Sequence, residues 1–233
     1  MVNLLQANQE RWNKCQVNAS KQSTFDSVAR RLMAAKARYQ AVEARTGVPW
    51  WFIAVVHERE ASQSWNANIA QGDRWDRVST HVPRGRGPFS SWEEAAYDAL
   101  VNCAPYAARN KDWSMGNALT MLEKYNGLGY FNKGIPSPYI WAGTNQYSRG
   151  KYVADGVFDA NAVDTQLGCA GLLKAMNIGT KSIPTKHVAA GAVIAGGATT
   201  LTQTSHSMWP WIIGGTMVTA MMIWMIIHFT ERK

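Results

Sequence analysis

WWFIAVVHERE, residues 50–60, is the segment around which we expect the chain to fold. Its first seven residues are apolar and its last four are polar or charged. A helix that is apolar on every face is enclosed by the core of a protein. We therefore predict a buried helix over residues 50–62, whose charged end brings Glu58 and Glu60 to the edge of the core, where a cleft can form.

Helical patterns are predicted on both sides of this segment. Residues 27–46 carry apolar side chains at spacings of three and four, and Gly47 and Pro49 then stop the helix. The same reasoning predicts helices over residues 91–102, 114–124 and 161–177, and a long functional loop over residues 126–150. Sustained strict alternation is missing, so the predicted fold class is mainly α.

Composition divides the chain into four parts. Residues 1–24 are polar and lack the apolar core of a signal peptide. Residues 25–178 form the predicted helical domain. Residues 179–208 are a predicted linker that contains a small-residue apolar stretch at 188–200, and whether that stretch enters a membrane stays open.

Residues 209–229 contain no Asp, Glu, Lys or Arg. At ~1.5 Å rise per residue, a helix of this length crosses a hydrocarbon core of ~30 Å. Trp209 and Trp211 at one end, and Arg232 and Lys233 beyond the other, are typical interface residues. We predict a single transmembrane helix here, and a buried core helix is the weaker alternative.

Charge and motif content limit the classes of function. The net charge of +8 suits an anionic partner, but no nucleic-acid module is recognisable, so an anionic surface is favoured over nucleic acid. The three Cys and five His residues lack metal-ligand spacing, and no Gly-rich phosphate loop occurs. No metal or cofactor is therefore predicted, and His57 is interpreted as a packed or capping histidine. The eleven Trp residues can stack on sugars or serve as core and membrane anchors.

Glu58 and Glu60 cannot face the same site. Side chains two residues apart on a helix point about 200° apart. Desolvation at the end of a buried helix raises the pKa of a carboxyl group, which is what a general acid near neutral pH requires.

The segment 56–62, VHEREAS, resembles the signature of goose-type lysozymes and lytic transglycosylases. In that superfamily an apolar helix ends in Arg or Gln, the catalytic Glu and Ser. The resemblance implies that Glu60 is the catalytic acid. Ala61 stands where the family usually has Ser, and Ser62 follows one place later, so Glu58 remains the alternative.

Three further segments resemble that superfamily. Gln71-Gly72-Asp73 is similar to the Gly-Asp of goose-type lysozymes, which implies that Asp73, with Asp76 in reserve, holds a hydrolytic water. A turn-stabilising role is the alternative for Asp73. Tyr125-Asn126-Gly127 is similar to a turn that lines the sugar site, and residues 137–147 resemble the substrate loop of prophage lysozyme-like proteins. These likenesses imply sugar contacts by Tyr125, Asn126, Trp141 and Tyr147, although Trp141 and Tyr147 could instead pin the loop to the core.

Together the resemblances imply a lysozyme-like helical domain followed by a C-terminal transmembrane helix. The implied activity is cleavage of the MurNAc–GlcNAc β-1,4 bond of peptidoglycan, by hydrolysis or by transglycosylation. The expected partners are peptidoglycan glycan strands and a lipid bilayer, with the domain on the periplasmic side, as in a prophage endolysin or an enzyme of a phage virion membrane. The alternative is a non-enzymatic membrane protein, either a holin-like pore former or an anchored wall-binding module.

Overall fold

Helices dominate the regular structure of residues 3–179, the part of the chain that the computed structural model describes. The helices are α1 Leu4–Lys14, α2 Gln22–Ala34, α3 Lys36–Thr46, α4 Trp50–Ala61, α5 Trp92–Val101, α6 Met115–Asn126, α7 Gly129–Asn132, α8 Pro138–Trp141 and α9 Cys169–Ala175. The strands β1 Lys151–Ala154 and β2 Val157–Asp159 pair as an antiparallel hairpin. The mainly α fold class is confirmed for this part of the chain.

Helix α4 lies at the centre of the core. Every residue from 52 to 57 is fully buried, which confirms the predicted buried helix. It packs against α3 on one side and α9 on another. Pro49 precedes its first turn, and Ser62 ends it in the left-handed conformation at φ 49°. The polar residues 58–60 therefore lie at the end of the buried helix, with Arg59 buried and Glu58 and Glu60 partly exposed.

Two predicted helix boundaries were wrong. Residues 27–46 form two helices, because the backbone at Ala35 leaves the helical region with φ −89° and ψ 5°. Residues 161–168 are not helical, so α9 is shorter than predicted. Asp159 accepts from the backbone N–H groups of Asn161 and Ala162, and Asp164 accepts from that of Gln166. Such local side-chain bonds compete with helix formation.

The β1–β2 hairpin was not predicted from the sequence. Its strands are only four and three residues long, too short to show alternation. Lys151 pairs with Asp159 and Tyr152 pairs with Phe158, while Gly156 in the turn has φ 68°. A glycine tolerates this left-handed conformation without a steric penalty.

The folded domain begins earlier than predicted, because α1 lies in the segment 1–24 that was set apart as polar. Helix α1 packs along α6, and Trp12 and Cys15 join the core. A side chain at Gly116 of α6 would meet Gln9 at 3.0 Å, so glycine permits the close approach. Only Asn8 and Trp12 of this helix are buried, and a single buried apolar residue gives little periodic signal.

Within residues 3–179, no helix has the length and apolar character needed to cross a membrane. The predicted transmembrane helix 209–229 and nearly all of the predicted linker 179–208 lie outside the described residues.

His57 joins the last turn of α4 to the segment that follows it. Its Nε2 lies 3.0 Å from the carbonyl oxygen of Ser64, and its Nδ1 lies 3.1 Å from the Tyr39 hydroxyl. Since a carbonyl can only accept, Nε2 carries the proton and Nδ1 accepts from Tyr39. The rings of Trp65 and Trp92 pack against the imidazole. Burial lowers the pKa of His57 to about 4, although the Ser64 bond opposes this shift.

We expect His57→Gln to have a lower free energy of unfolding than the wild type at pH 7. This difference should become smaller as the pH falls to 4.5. In the wild type, His57 is neutral in both states above its ordinary pKa of 6.5. Below that pH the unfolded chain takes up the proton first, so about 2 kcal/mol of folding stability is lost by pH 4.5. The glutamine of the variant does not titrate, so its contribution to stability stays constant over this range. Urea unfolding of both proteins at pH 7 and pH 4.5 measures this change, and a constant difference would contradict the buried neutral imidazole.

Candidate active site

Glu60 occupies the last turn of α4, where the buried helix reaches the surface. The Tyr139 hydroxyl donates a hydrogen bond of 2.8 Å to Glu60 Oε1. The side chain keeps some exposure, as a reacting group must. Burial raises the pKa of Glu60 to about 7, against the opposing effects of the Tyr139 hydrogen bond and the Arg59 charge. Burial therefore favours the protonated form of Glu60 much more strongly than is usual for a glutamate.

A buried ion pair fixes the orientation of Tyr139. Arg59 Nη2 lies 3.1 Å from Asp164 Oδ2, and both side chains are more than 90% buried. The Arg59 guanidinium also donates to the Leu167 carbonyl at 3.3 Å and lies 4.8 Å from the centre of the Tyr139 ring. Lys151 Nζ lies 3.6 Å from the other Asp164 oxygen. Tyr139 is thus held between this charged group and Glu60.

A cleft of about 350 Å³ is lined by Tyr139 and Arg59. Glu60 is not among its lining residues and is connected to it by the hydrogen bond from Tyr139. Its walls come from the end of α6, from α7 and α8, and from the β1–β2 hairpin. Tyr130, Tyr152 and Phe158 pack edge to face, and the Tyr130 hydroxyl accepts from the Tyr152 amide at 3.0 Å, which fastens the hairpin to α7. The residues lining the cleft are Arg59, Asn126, Gly127, Gly129, Tyr130, Pro138, Tyr139, Lys151, Tyr152, Val153, Ala162, Val163, Asp164 and Gln166.

Of the predicted sugar-contacting residues, Asn126 lines this cleft. Its side-chain amide also donates to Ser137 Oγ at 3.2 Å. Tyr125 lies behind Glu60: its ring is buried, and its hydroxyl donates to the Ile69 carbonyl at 2.9 Å. Burial, and then the nearby Glu60 charge, raise the pKa of Tyr125. Tyr125 therefore supports the site from the core side.

Trp141 and Tyr147 hold the segment 137–147 to the core, which is the alternative to the predicted sugar contact. Trp141 is fully buried, so it offers no ring face to a sugar. The Tyr147 hydroxyl accepts from the Asp164 amide at 3.0 Å and donates to the Gly150 carbonyl at 3.3 Å. The aromatic residue that reaches the cleft from this loop is Tyr139, which the sequence did not single out. Its position, two residues before Trp141 on α8, places it on the opposite face of that helical turn.

Asp73 is close to α4, but its carboxylate is engaged elsewhere. A side-chain carbon on Gly72 would lie 3.2 Å from the Glu60 carbonyl, so the turn packs against the end of α4. The Asp73 oxygens accept from the Thr80 amide at 2.9 Å, the His81 amide at 3.0 Å and His81 Nδ1 at 2.5 Å. Burial opposes ionisation, but these bonds prevail and lower the pKa of Asp73. The geometry supports the turn-stabilising role, and the water-holding role stays a prediction.

Glu58, the alternative acid, faces a different direction. Its Oε2 lies 3.7 Å from Arg31 Nη2, and burial raises its pKa against the charges of Arg31 and Arg59. It opens onto a smaller cavity of about 200 Å³ on the other side of Arg59. Lys21, Thr24, Val28, Glu58, Arg59, Ser62, Thr165, Gln166 and Leu167 line that cavity. The separation predicted for Glu58 and Glu60 is therefore observed.

Residues 3–179 contain no group of three or more His, Cys, Asp or Glu side chains placed to hold a metal ion. The three cysteines, Cys15, Cys103 and Cys169, are buried thiols. The described site offers proton transfer by Glu60, supported by the Tyr139 hydrogen bond and by the charge of Arg59.

We expect Asp73→Asn to loosen the segment that carries Thr80 and His81. An amide side chain offers one acceptor oxygen where the carboxylate accepts three bonds, so exchange of the Thr80 and His81 amide protons should accelerate about tenfold. Asp76→Asn is the matched control, since Asp76 is exposed and pairs with Arg74. Hydrogen exchange followed by NMR gives the rates. Unchanged exchange in Asp73→Asn would mean that the carboxylate is not needed for the turn.

Comparisons of the chain with protein-family models, with curated proteins and with solved structures found no match in any of the three. A functional interpretation therefore depends on the short sequence motifs and on the geometry described above.

Proposed function

We propose that this protein is a peptidoglycan-degrading glycosidase that cleaves the MurNAc–GlcNAc β-1,4 bond with Glu60 as general acid. The observation that carries the proposal is the state of Glu60. It is a carboxyl group at the end of a buried helix with a pKa raised to about 7, hydrogen-bonded by Tyr139 beside a polar and aromatic cleft. A general acid is most effective when its pKa lies near the working pH.

The proposed reaction begins with transfer of the Glu60 proton to the glycosidic oxygen. The bond between that oxygen and the anomeric carbon breaks, the leaving sugar departs as a neutral alcohol, and positive charge develops on the ring that keeps the anomeric carbon. The Glu60 carboxylate left behind keeps the hydrogen bond from Tyr139 and the nearby Arg59 charge, both of which favour its ionised form. The same pair of residues therefore stabilises Glu60 after the proton has left.

The second step has two candidate nucleophiles. Water can attack the anomeric carbon and lose a proton to a base, which gives hydrolysis. The muramic 6-hydroxyl can attack instead and return its proton to Glu60, which gives the anhydro product of a lytic transglycosylase. The hydrogen bonds that the Asp73 carboxylate already accepts favour attack by the muramic 6-hydroxyl, because a base that activates water needs an available acceptor oxygen. Mass spectrometry of the released fragments distinguishes the two, since the anhydro product is lighter by one water.

The composition of the cleft supports a glycan with an acidic substituent. Tyr130 and Tyr152 supply aromatic surface, and Asn126 supplies an amide for hydroxyl or acetamido groups. Lys151 and Arg59 outnumber Asp164, so the charged side chains of the cleft sum to a positive charge. Glycan strands of peptidoglycan combine these features.

The proposed setting is a membrane. Residues 209–229 have the composition of a single transmembrane helix, and Arg232 and Lys233 favour a cytoplasmic C-terminus. The catalytic domain would then act on the wall from the periplasmic side. A prophage endolysin or an enzyme of a phage virion membrane fits this arrangement.

We expect Glu60→Gln to lower peptidoglycan cleavage by ~10²–10⁴-fold, the usual contribution of acid catalysis. The substitution keeps the shape and the Tyr139 contact but removes the transferable proton. Turbidity loss of purified peptidoglycan, at equal folded protein, measures the rate. Wild-type activity should also fall as the pH rises through about 7, because only protonated Glu60 is active.

Glu58→Gln is the matched control, since it removes the neighbouring carboxyl group that pairs with Arg31. We expect it to retain most of the activity. Loss of cleavage in Glu58→Gln with retention in Glu60→Gln would reject Glu60 as the acid. A wild-type protein that releases no fragments would reject the enzymatic function and favour a non-enzymatic membrane protein.

A further inference from the structure

A second cavity, of about 210 Å³, lies between α1, the end of α6 and the segment that precedes α8. It shares no lining residue with the cleft beside Glu60. The residues lining it are Leu4, Ala7, Asn8, Arg11, Glu123, Phe131, Gly134, Ile135, Pro136, Ser137 and Trp141. The proposed glycosidase reaction uses none of its polar groups.

Two buried polar groups border this cavity without a hydrogen-bond partner among the described residues. Glu123 is 3% exposed, and its Oε1 has no donor. Trp141 is fully buried, and its indole Nε1–H has no acceptor. Buried polar groups in proteins are nearly always paired, and the exceptions call for an explanation. Here one unpaired acceptor and one unpaired donor border the same cavity.

Arg11 adds a positive charge to the residues that line this cavity. Arg11 of α1 is half-buried and lines the cavity. Burial raises the pKa of Glu123 to about 8, and the Arg11 charge acts against this shift. Yet no ion pair joins Arg11 to Glu123 within residues 3–179. The two side chains therefore line one cavity without forming an ion pair.

We propose that this cavity binds a small zwitterion, a free α-amino acid, with its ammonium on Glu123 and its carboxylate on Arg11 and the Trp141 indole. A simple cation would meet the Arg11 charge, and a simple anion would leave the Glu123 carboxyl group without a partner, so neither satisfies both groups. The volume is below the ~300–1,000 Å³ of sites for drug-sized ligands, which fits a molecule of amino-acid size. Leu4, Ala7 and Ile135 supply apolar surface for a short aliphatic side chain.

The site adjoins the segment that forms one wall of the catalytic cleft. Ser137 lines the second cavity and accepts the hydrogen bond from Asn126, which lines the cleft. Trp141 ends α8, the helix that carries Tyr139. The proposal itself does not depend on the glycosidase function, and its test uses binding alone.

The test is an NMR titration of the ¹⁵N-labelled full chain in detergent micelles, with the Trp141 indole signal identified by Trp141→Phe. We expect glycine, L-alanine or D-alanine to move that signal in a saturable way. Propionate, which has only the carboxylate, and ethylamine, which has only the ammonium, should leave it in place at equal concentrations. No saturable shift with any amino acid, or an equal shift with propionate or ethylamine, would overturn the proposal.

Substitutions of Glu123 and Arg11 test which side chain binds the ammonium and which binds the carboxylate of the amino acid. Glu123→Gln keeps the side-chain shape and should raise the Kd for alanine about tenfold or more, as loss of a charged hydrogen-bond partner does. Glu43→Gln on α3 is the matched control and should bind as the wild type does. Arg11→Gln changes a half-buried residue and should weaken binding similarly, which keeps the test decisive where Glu123→Gln disturbs folding. Unaltered affinity in both cavity variants would also overturn the proposal.

Discussion

The enclosure of α4 on every side is the constraint from which the rest of the structure follows. Seven apolar residues in succession leave this helix no solvent-facing side, so other helices must surround it. The sequence then becomes polar within one helical turn, and Glu60 lies at the edge of the core, hydrogen-bonded to Tyr139, which lines the cleft. Desolvation at that edge raises the pKa of Glu60 to about 7. The helix thus sets both the position and the protonation state of the carboxyl group.

Charge around α4 is arranged so that Glu60 can hold a proton and also release it. Arg59 is neutralised by Asp164 in a buried pair, which leaves its field on Glu60 weaker than that of an isolated cation. Tyr139 donates directly to Glu60 and is itself packed against Arg59. Burial favours the acid form, whereas Tyr139 and Arg59 favour the carboxylate. A carboxyl group whose protonated and ionised forms are close in free energy near neutral pH is suited to proton transfer at that pH.

The sequence predicted the parts of this arrangement that depend on local pattern. The buried helix, the separation of Glu58 from Glu60 and the placement of Asn126 at the cleft all follow from periodicity or from a short motif. The role of Tyr139 could not be predicted, because only the tertiary fold decides which buried aromatic residue of residues 137–147 lines the cleft and hydrogen-bonds Glu60. The packing of α1 was missed because Trp12 is the only apolar residue within that helix that belongs to the core. The β1–β2 hairpin was missed because its strands are too short to alternate.

Glu60 can act as the proposed general acid only if it holds a proton near neutral pH. A ¹³C NMR titration of the side-chain carboxyl groups, with the Glu60 signal assigned by its absence in Glu60→Gln, measures this protonation directly. We expect a midpoint near pH 7 for Glu60 in the wild-type protein. A midpoint near 4.5, the ordinary value for a glutamate, would show that α4 does not desolvate this carboxyl group and would contradict its assignment as the acid.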